Sequence, residues 1–498
     1  MNRVYVKDLE CFKKAREKPK WISPEACFDL DLLPTDGLKG EWREYLLERG
    51  RQLSAGSIRA ELWPYHVLCR FLKDRYPALQ SFREADSSEM FRELKKWMMK
   101  NGYCLTANRY RREFGRTVVG QSPVYLALKR ICEYFLPEEE GSESEKDRWD
   151  LSLLGFAVRN NPVHPIKSFN FTGIHQTGIR EEVKKACYVT LRYLAVATVH
   201  QQLRAVKRLS DFLQETHPDV RSLLHLEREQ LEEYLIRINT EDLGKKSFRS
   251  ELSSLKSLLE MVGRIYEKDT LVHLFLPDDL PPHERPAFPA VYSDGELLRL
   301  NGEIRKMQEQ IVRVIMLQQI LANRISETLT LKQDCLVRRS GHWMVRIFEI
   351  KTQRTCYKPA NPDVIKLIRA AAEYTRNRYG MTEYLFVNDR NPSEPMKYDY
   401  LQYHLMAMIR ESDLCDDEGN PFGVWTHRFR HSFARRMTEM HVDDITIARL
   451  LGQRGSGAVR YYRTFGSQAM AEETREIRRS MDDILFAVSK EWGTDEKV

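Results

Sequence analysis

No two of the nine cysteines form a Cys-x-x-Cys pair, so the chain has neither zinc-ribbon spacing nor a redox dithiol. Cys11, Cys27, Cys69, Cys104, Cys132, Cys187, Cys335, Cys356 and Cys415 are odd in number and scattered, which argues against a disulfide framework and for a reducing cytosol. No apolar run is long enough to span a bilayer: the best, Ile311 to Ala322, is broken by Arg313, Gln318 and Gln319. The opening MNRVYVKDLE lacks the apolar centre of a signal peptide. These absences predict a cytoplasmic protein without a membrane partner. No metal-ligand spacing occurs either, so neither metal nor other cofactor is expected.

At 498 residues, 42% hydrophobic and 30% charged, the chain is long enough for two to four domains with sizeable cores. The net charge of +7 permits a polyanionic partner without requiring one. Two segments read as linkers: the acidic PEEEGSESEKD, Pro137 to Asp147, and Leu276 to Ala290, which carries five prolines. These cuts divide the chain into three bodies, and the first two repeat one another. SIRAELWPYHVLCRFLKDRYP from Ser57 and TVHQQLRAVKRLSDFLQETHP from Thr198 align at an offset of 141, bringing Phe71-Leu72 onto Phe212-Leu213 and Pro77 onto Pro218. Each has apolar residues at helical spacing, with Ser57 and Thr198 as expected N-caps, and each is followed by two further helical stretches.

The expected fold is mainly α with a small β-sheet. It divides into an N-terminal helical domain at 1–137, an acidic connector at 138–189, a second helical domain at 190–276, a proline-rich linker at 277–290, an α+β domain at 291–466 and a C-terminal helical tail at 467–498. Ser293 should cap the first helix of the α+β domain. His342 to Glu349 and Thr355 to Pro359 should be strands, and Pro362 to Tyr379 a helix.

The segment Pro421 to Phe465 holds eight arginines, no lysine and three acids, with aromatics interleaved. Arginine suits bidentate phosphate recognition, so the bias points to nucleic acid. Phosphodiester transfer needs fixed cations around the phosphate, a hydroxyl nucleophile and a proton for the leaving oxygen. Candidates are Arg324 in the helical LANRISETL and Lys351 in the turn after Glu349. His427 and Arg430 stand on one helix face with Thr426 as cap, and Tyr462 follows GQRGSGAVRYY.

In this order LANRISETLTL, EIKTQRTCYKP, THRFRHSFARRM and ARLLGQRGSGAVRYY resemble the catalytic boxes of the tyrosine recombinase (phage integrase) superfamily. Gln453 stands 23 residues after Arg430, and Tyr462 nine after Gln453, as in that family. The resemblance covers about Ser293 to Phe465, and more loosely a core-binding domain at Thr190 to Glu267. It implies that Arg324 and Arg430 clamp the scissile phosphate, that His427 assists with the tyrosine proton, that Lys351 is the general acid and that Tyr462 forms a 3′-phosphotyrosine. Gln453 replaces the family's usual His or Trp; its amide can donate a hydrogen bond but cannot carry charge.

Tyr461, Lys358 and His431 are the competitors, and His342, Trp343 and Trp425 read as core or hairpin residues. The implied partner is double-stranded DNA at specific recombination sites, bound by a C-shaped clamp. A homo-tetramer on two duplexes would be coupled through the tail, with accessory proteins of a mobile element. The alternatives are a type IB topoisomerase and a catalytically silent DNA-binding protein on the same fold.

Overall fold

The structure, a computed structural model, describes residues 2–13, 20–111, 115–135, 141–240, 248–281, 290–423, 426–453, 455 and 459. The chain forms two compact units, Met1–Glu140 and Gly141–Val498.

In the first unit, β1 (Arg3–Tyr5) and β2 (Cys27–Asp29) pair around the short α1 (Glu10–Lys13). A helical bundle follows: α2 (Asp36–Gln52), α3 (Ala55–Ala60), α4 (Leu62–Arg75), α5 (Ser87–Lys100), then a hairpin of β3 (Thr106–Arg111) and β4 (Arg116–Gln121), and α6 (Pro123–Tyr134). Its core gathers Phe28, Leu38, Trp42, Tyr65, Phe71, Leu94 and Leu128.

The second unit begins with the same plan. Strands β5 (Arg148–Asp150) and β6 (Ser168–Asn170) pair, followed by α7 (Thr177–Thr190), α8 (Val196–Thr216), α9 (Arg228–Thr240), α10 (Arg249–Ile265) and α11 (Asp269–Val272). In α10 the buried Leu252, Leu255, Leu258, Leu259 and Val262 recur every three or four residues, the stripe that seats a helix on a core.

The offset of 141 is visible in chemistry as well as in order. In the first unit Glu41 accepts from Ser81 Oγ and, at 2.8 Å, from the Phe82 amide. In the second, Glu182 accepts from Ser222 Oγ and, at 2.7 Å, from the Leu223 amide. Beside each carboxylate a glycine lets a helix approach a carbonyl: a Cβ at Gly37 would lie 2.1 Å from Gln80 O, and one at Gly178 2.5 Å from Arg221 O. All five pairs are 141 residues apart. The carboxylate therefore ties α2 to the chain that leaves α4, and α7 to the chain that leaves α8.

The α+β part contains α12 (Asp294–Ile304), α13 (Glu309–Leu321), α14 (Ile325–Leu329), an antiparallel sheet of β7 (Leu336–Arg339), β8 (His342–Glu349) and β9 (Arg354–Pro359), then α15 (Pro362–Tyr379), α16 (Tyr398–Glu411), α17 (Thr426–Glu439) and α18 (Asp444–Leu450). The mainly helical class, the strands and α15 are as expected. Ser293 caps α12 through a capping box with Glu296, and Asn361 caps α15 ahead of Pro362.

Four expectations need correction. Ser57 and Thr198 lie inside their helices. Ser54 caps α3 by accepting from the Ser57 amide, and Ala195 precedes α8 without a side-chain cap, because both helices start earlier than the polar residue suggests. Thr426 is the first helical residue of α17 and is buried; residues 424–425, with Trp425, lie outside the described set. Residues 148–189 are not a bare connector, since Trp149, Phe169, Phe171, Ile179 and Val183 belong to the same core as α8 to α10. Val163 packs into the α+β core, and its carbonyl accepts from the Tyr398 amide at 3.1 Å. Of the proline-rich segment, Asp279 is clamped by Arg228, with Nη1 at 2.6 Å and Nη2 at 2.8 Å, while residues 282–289 are not described. His342 and Trp343 are hairpin residues on β8. The tail at 467–498 lies outside the described residues.

Removing either carboxylate clasp strands a backbone amide and a hydroxyl. Glu182→Ala is expected to cost about 1–3 kcal/mol, and Glu41→Ala a similar amount in its own unit, read from urea unfolding of the full chain. Loss from one variant alone would show that the two clasps are not equivalent.

Candidate active site

The site is built around a turn. Helix α13 ends at Ala322, a buried non-glycine residue in the left-handed region at φ 49° and ψ 34°. The turn exposes three consecutive acceptors to the interior, and buried cations meet them. Lys358 Nζ, on β9, donates to Leu321 O at 2.6 Å and to Asn323 Oδ1 at 2.8 Å. Arg430, on α17 and 2% exposed, donates through Nη1 to Ala322 O at 2.9 Å and through Nη2 to Leu451 O beyond α18. Gln318 Nε2 reaches Thr426 O at 2.9 Å and fastens α13 to the start of α17.

The turn delivers Arg324 as the N-cap of α14, at the helix start rather than within it. Its Nη1 donates to Glu327 Oε1 at 2.7 Å, and its backbone amide to Glu327 Oε2 at 2.9 Å. Glu327 is 3% exposed, so Arg324 is its charge partner, and a buried carboxylate without one would be costly. Lys351 stands exposed in the turn between β8 and β9, which are paired up to Glu349 and Arg354.

His427 lies on the solvent-facing side of α17 but is crowded by protein on its other sides. That burial, then Arg430, Arg324 and Lys351, hold its imidazole below the ordinary range, with Glu327 opposing. Arg430 Nη1 reaches Ala322 O, two residues before Arg324, so both guanidiniums are tied to the same turn. His431 touches the His427 ring, with ring centroids 4.7 Å apart, and is pushed down to about 4 by burial and by His427 and Arg430. A competitor in the sequence, His431 is a neutral neighbour at pH 7.

Gln453 follows α18, its amide bonded to Ala448 O at 2.8 Å. Its buried Oε1 has no hydrogen-bond partner among the described residues. The preceding Gly452 has φ +62°, and a Cβ there would meet Glu349 Oε1 at 1.8 Å. Only glycine therefore lets α18 end against the base of the hairpin that carries Lys351. Tyr461 and Tyr462 lie outside the described residues.

Sequence reasoning missed Glu327 and Glu349, and took Lys358 only as a competitor. Glu327 had a signal, the three-residue spacing of a capping box with Arg324. Glu349 and Lys358 had none, because tertiary contact alone brings them here. Lys358 is 5% exposed, and burial followed by the Arg430 charge lowers its amine to about 8. Its protons are aimed into the protein, whereas Lys351 faces solvent.

Lys358→Met removes the only described donor to Asn323 Oδ1 and is expected to cost about 1–3 kcal/mol in chemical denaturation. The pH dependence is a second readout. Between about pH 8 and the ordinary lysine value the unfolded chain holds a proton that folded Lys358 has lost, so its contribution makes stability rise with pH across that window. The methionine variant should lack this rise.

Residues 294–467 match the phage integrase family, and residues 195–267 match its N-terminal domain. Transposase B from transposon PsiTn554 of Staphylococcus aureus is 24% identical over 420 residues, covering 82% of this chain and 66% of that protein. Transposase B from transposon Tn554 of the same species is 23% identical over 417 residues, with the same coverage of 82% and 66%. The chain thus spans just under two thirds of the length of these curated relatives. Among solved structures, the XerH site-specific recombinase bound to palindromic difH substrate aligns at TM-score 0.45 and 16% identity, over 61% of this chain and 91% of that one. The Tn1549 transposon integrase in complex with circular intermediate DNA aligns at TM-score 0.42 and 14% identity, over 58% and 98%. Residues 195–267 and 294–467 are thus the parts of this chain that are similar to the phage integrase family.

Proposed function

We propose that the chain is a site-specific DNA recombinase of a mobile element, an integrase or transposase that cuts and rejoins strands through Tyr462. The observation that supports this reading is that Arg430 holds Ala322 O, two residues before Arg324, while His427 stands three residues before Arg430 on α17. Two guanidiniums offset charge that builds on the nonbridging phosphate oxygens. Tyr462 attacks phosphorus, the Tyr462 O–P bond forms and the P–O5′ bond breaks. The phenol proton passes to neutral His427, and the Lys351 ammonium protonates the leaving 5′ oxygen. The 3′-phosphotyrosine keeps the energy of the broken linkage, so a 5′-hydroxyl can reverse the step without a nucleotide cofactor. No group of three or more potential metal ligands occurs among the described residues, and none is needed by this scheme.

The substrate is double-stranded DNA, held by the helical domain at 190–276 and the catalytic domain at 291–466. The same reading includes a homo-tetramer on two duplexes, coupled by the tail at 467–498, with accessory proteins choosing direction. The names of the Staphylococcus relatives support the mobile-element role. No described helix is long and apolar enough to cross a membrane.

A pool of nicked duplexes with randomised flanks tests the reading, because a strand lost at the nick traps the covalent intermediate. Wild type and Tyr461→Phe should yield a protein–DNA adduct on denaturing gels, and Tyr462→Phe none. An adduct that survives Tyr462→Phe overturns the assignment. Adducts at any sequence, with relaxation of arbitrary plasmids, would mark a type IB topoisomerase. DNA binding without any adduct would mark a silent protein.

The pH profile follows from His427. Because its imidazole sits below the usual histidine range, it remains a proton acceptor at pH 6.5. Single-turnover cleavage should not lose its His427-dependent part until the pH falls below that value. A loss already between pH 8 and 7 would contradict His427 as the base.

A further inference from the structure

The α5–α6 connection in the first unit differs from its counterpart in the second. Helix α9 ends at Thr240 and α10 begins at Arg249, whereas α5 ends at Lys100 and α6 begins only at Pro123. The added length builds the β3–β4 ribbon, and none of its residues joins the hydrophobic core of its unit. Nearly every position of both strands is exposed, on both faces. A two-stranded ribbon exposed on both faces has little to stabilise it alone.

The register sorts the side chains. Arg109 pairs with Val118 and Arg111 with Arg116, which puts three guanidiniums on one face, near the small Ala107–Gly120 pair. The other face carries Asn108, Tyr110, Thr117, Val119 and Gln121, with Tyr110 66% and Val119 64% exposed. The register sets Arg111 directly opposite Arg116, which concentrates positive charge on that face, where a polyanion would complement it. Thr106–Gln121 holds four arginines and one glutamate, a net +3 within a chain whose total is +7.

The geometry points to the β3–β4 ribbon as a second DNA contact of this chain, docking its Arg109, Arg111 and Arg116 face on duplex DNA. A two-stranded ribbon fits the major groove, about 12 Å wide, and six residues per strand reach about 20 Å along it. Arginine face down, the ribbon meets phosphates and guanine edges. The inference rests on the recombinase reading for the choice of DNA as polyanion, but it concerns a unit outside the family match.

The test uses the full chain and a fluorescent 30-base-pair duplex of mixed sequence, titrated across a salt series. Triple replacement of Arg109, Arg111 and Arg116 by alanine should weaken binding about tenfold or more at 0.1 M salt. The slope of log affinity against log salt should fall by about 2 to 3. The triple lysine variant should keep the wild-type slope. Arg109→Glu alone should weaken binding more than Arg109→Ala, and an unchanged thermal midpoint should accompany all variants, since the ribbon lies outside the core.

Wild-type affinity and slope in the alanine triple overturn the inference. So does a change confined to oligomeric state in sedimentation, which would make the ribbon a protein contact. The Tyr462 adduct on nicked duplexes is scored separately. An adduct with ribbon-independent binding fails this inference alone, and ribbon-dependent binding without an adduct fails the strand-transfer reading alone.

Discussion

Two buried cations hold the turn on which the site depends. Arg430 and Lys358 reach the carbonyls and the amide oxygen of Leu321, Ala322 and Asn323, three groups that would otherwise be buried acceptors without donors. Burying two positive charges is costly, and the fold answers with two buried carboxylates, Glu327 and Glu349, whose charges act on Lys358. The interior layer is thus close to balanced. Facing solvent above it are Lys351, His427 and Arg324, so the excess positive charge lies where an anionic ligand would arrive. The left-handed conformation at Ala322 persists because cations on β9 and α17 hold the carbonyls on either side of it.

This arrangement also explains which parts were readable from the amino acids alone. Phosphodiester transfer calls for cations, a base and a proton donor, so Arg324, Lys351, His427 and Arg430 could be read as candidates, and Gln453 only through the resemblance of its segment to the family's. The hairpin was readable too, because Ser340-Gly341 and the β-branched run after them are local signals. Lys358 stood in the sequence only as a rival to Lys351. Its burial arises from the register of β9 against β8, where Lys358 faces Val345, and from α13 crossing above. Gly452 and Glu349 are far apart in sequence and meet only when α18 ends against the hairpin. The misplaced caps at Ser57, Thr198 and Thr426 share a cause: a hydroxyl near a helix start cannot by itself say which turn it occupies.

The two helical bundles show which parts of a repeated design are constrained. Surface side chains have diverged so far that the copies share only scattered identities. The glycine approach at Gly37 and Gly178 and the carboxylate at Glu41 and Glu182 remain. These are positions where a substitution either collides with a carbonyl or strands an amide, and neither loss can be absorbed by repacking. Loops are different, because lengthening one costs little closure entropy. The insertion that makes the β3–β4 ribbon is therefore a thermodynamically easy change, made at a point where the bundle core has no stake.

Gln453 is best understood against the same division between interior and open layers. Its backbone is fixed by Ala448 O, and Gly452 and Glu349 fix the end of α18 before it. The position is held by the fold, whatever side chain it carries. An imidazole there could be charged, and it would add a cation two residues beyond Leu451, whose carbonyl Arg430 already holds. An amide adds a dipole only. Gln453 can therefore offer a hydrogen bond from this fixed position without bringing a charge to it.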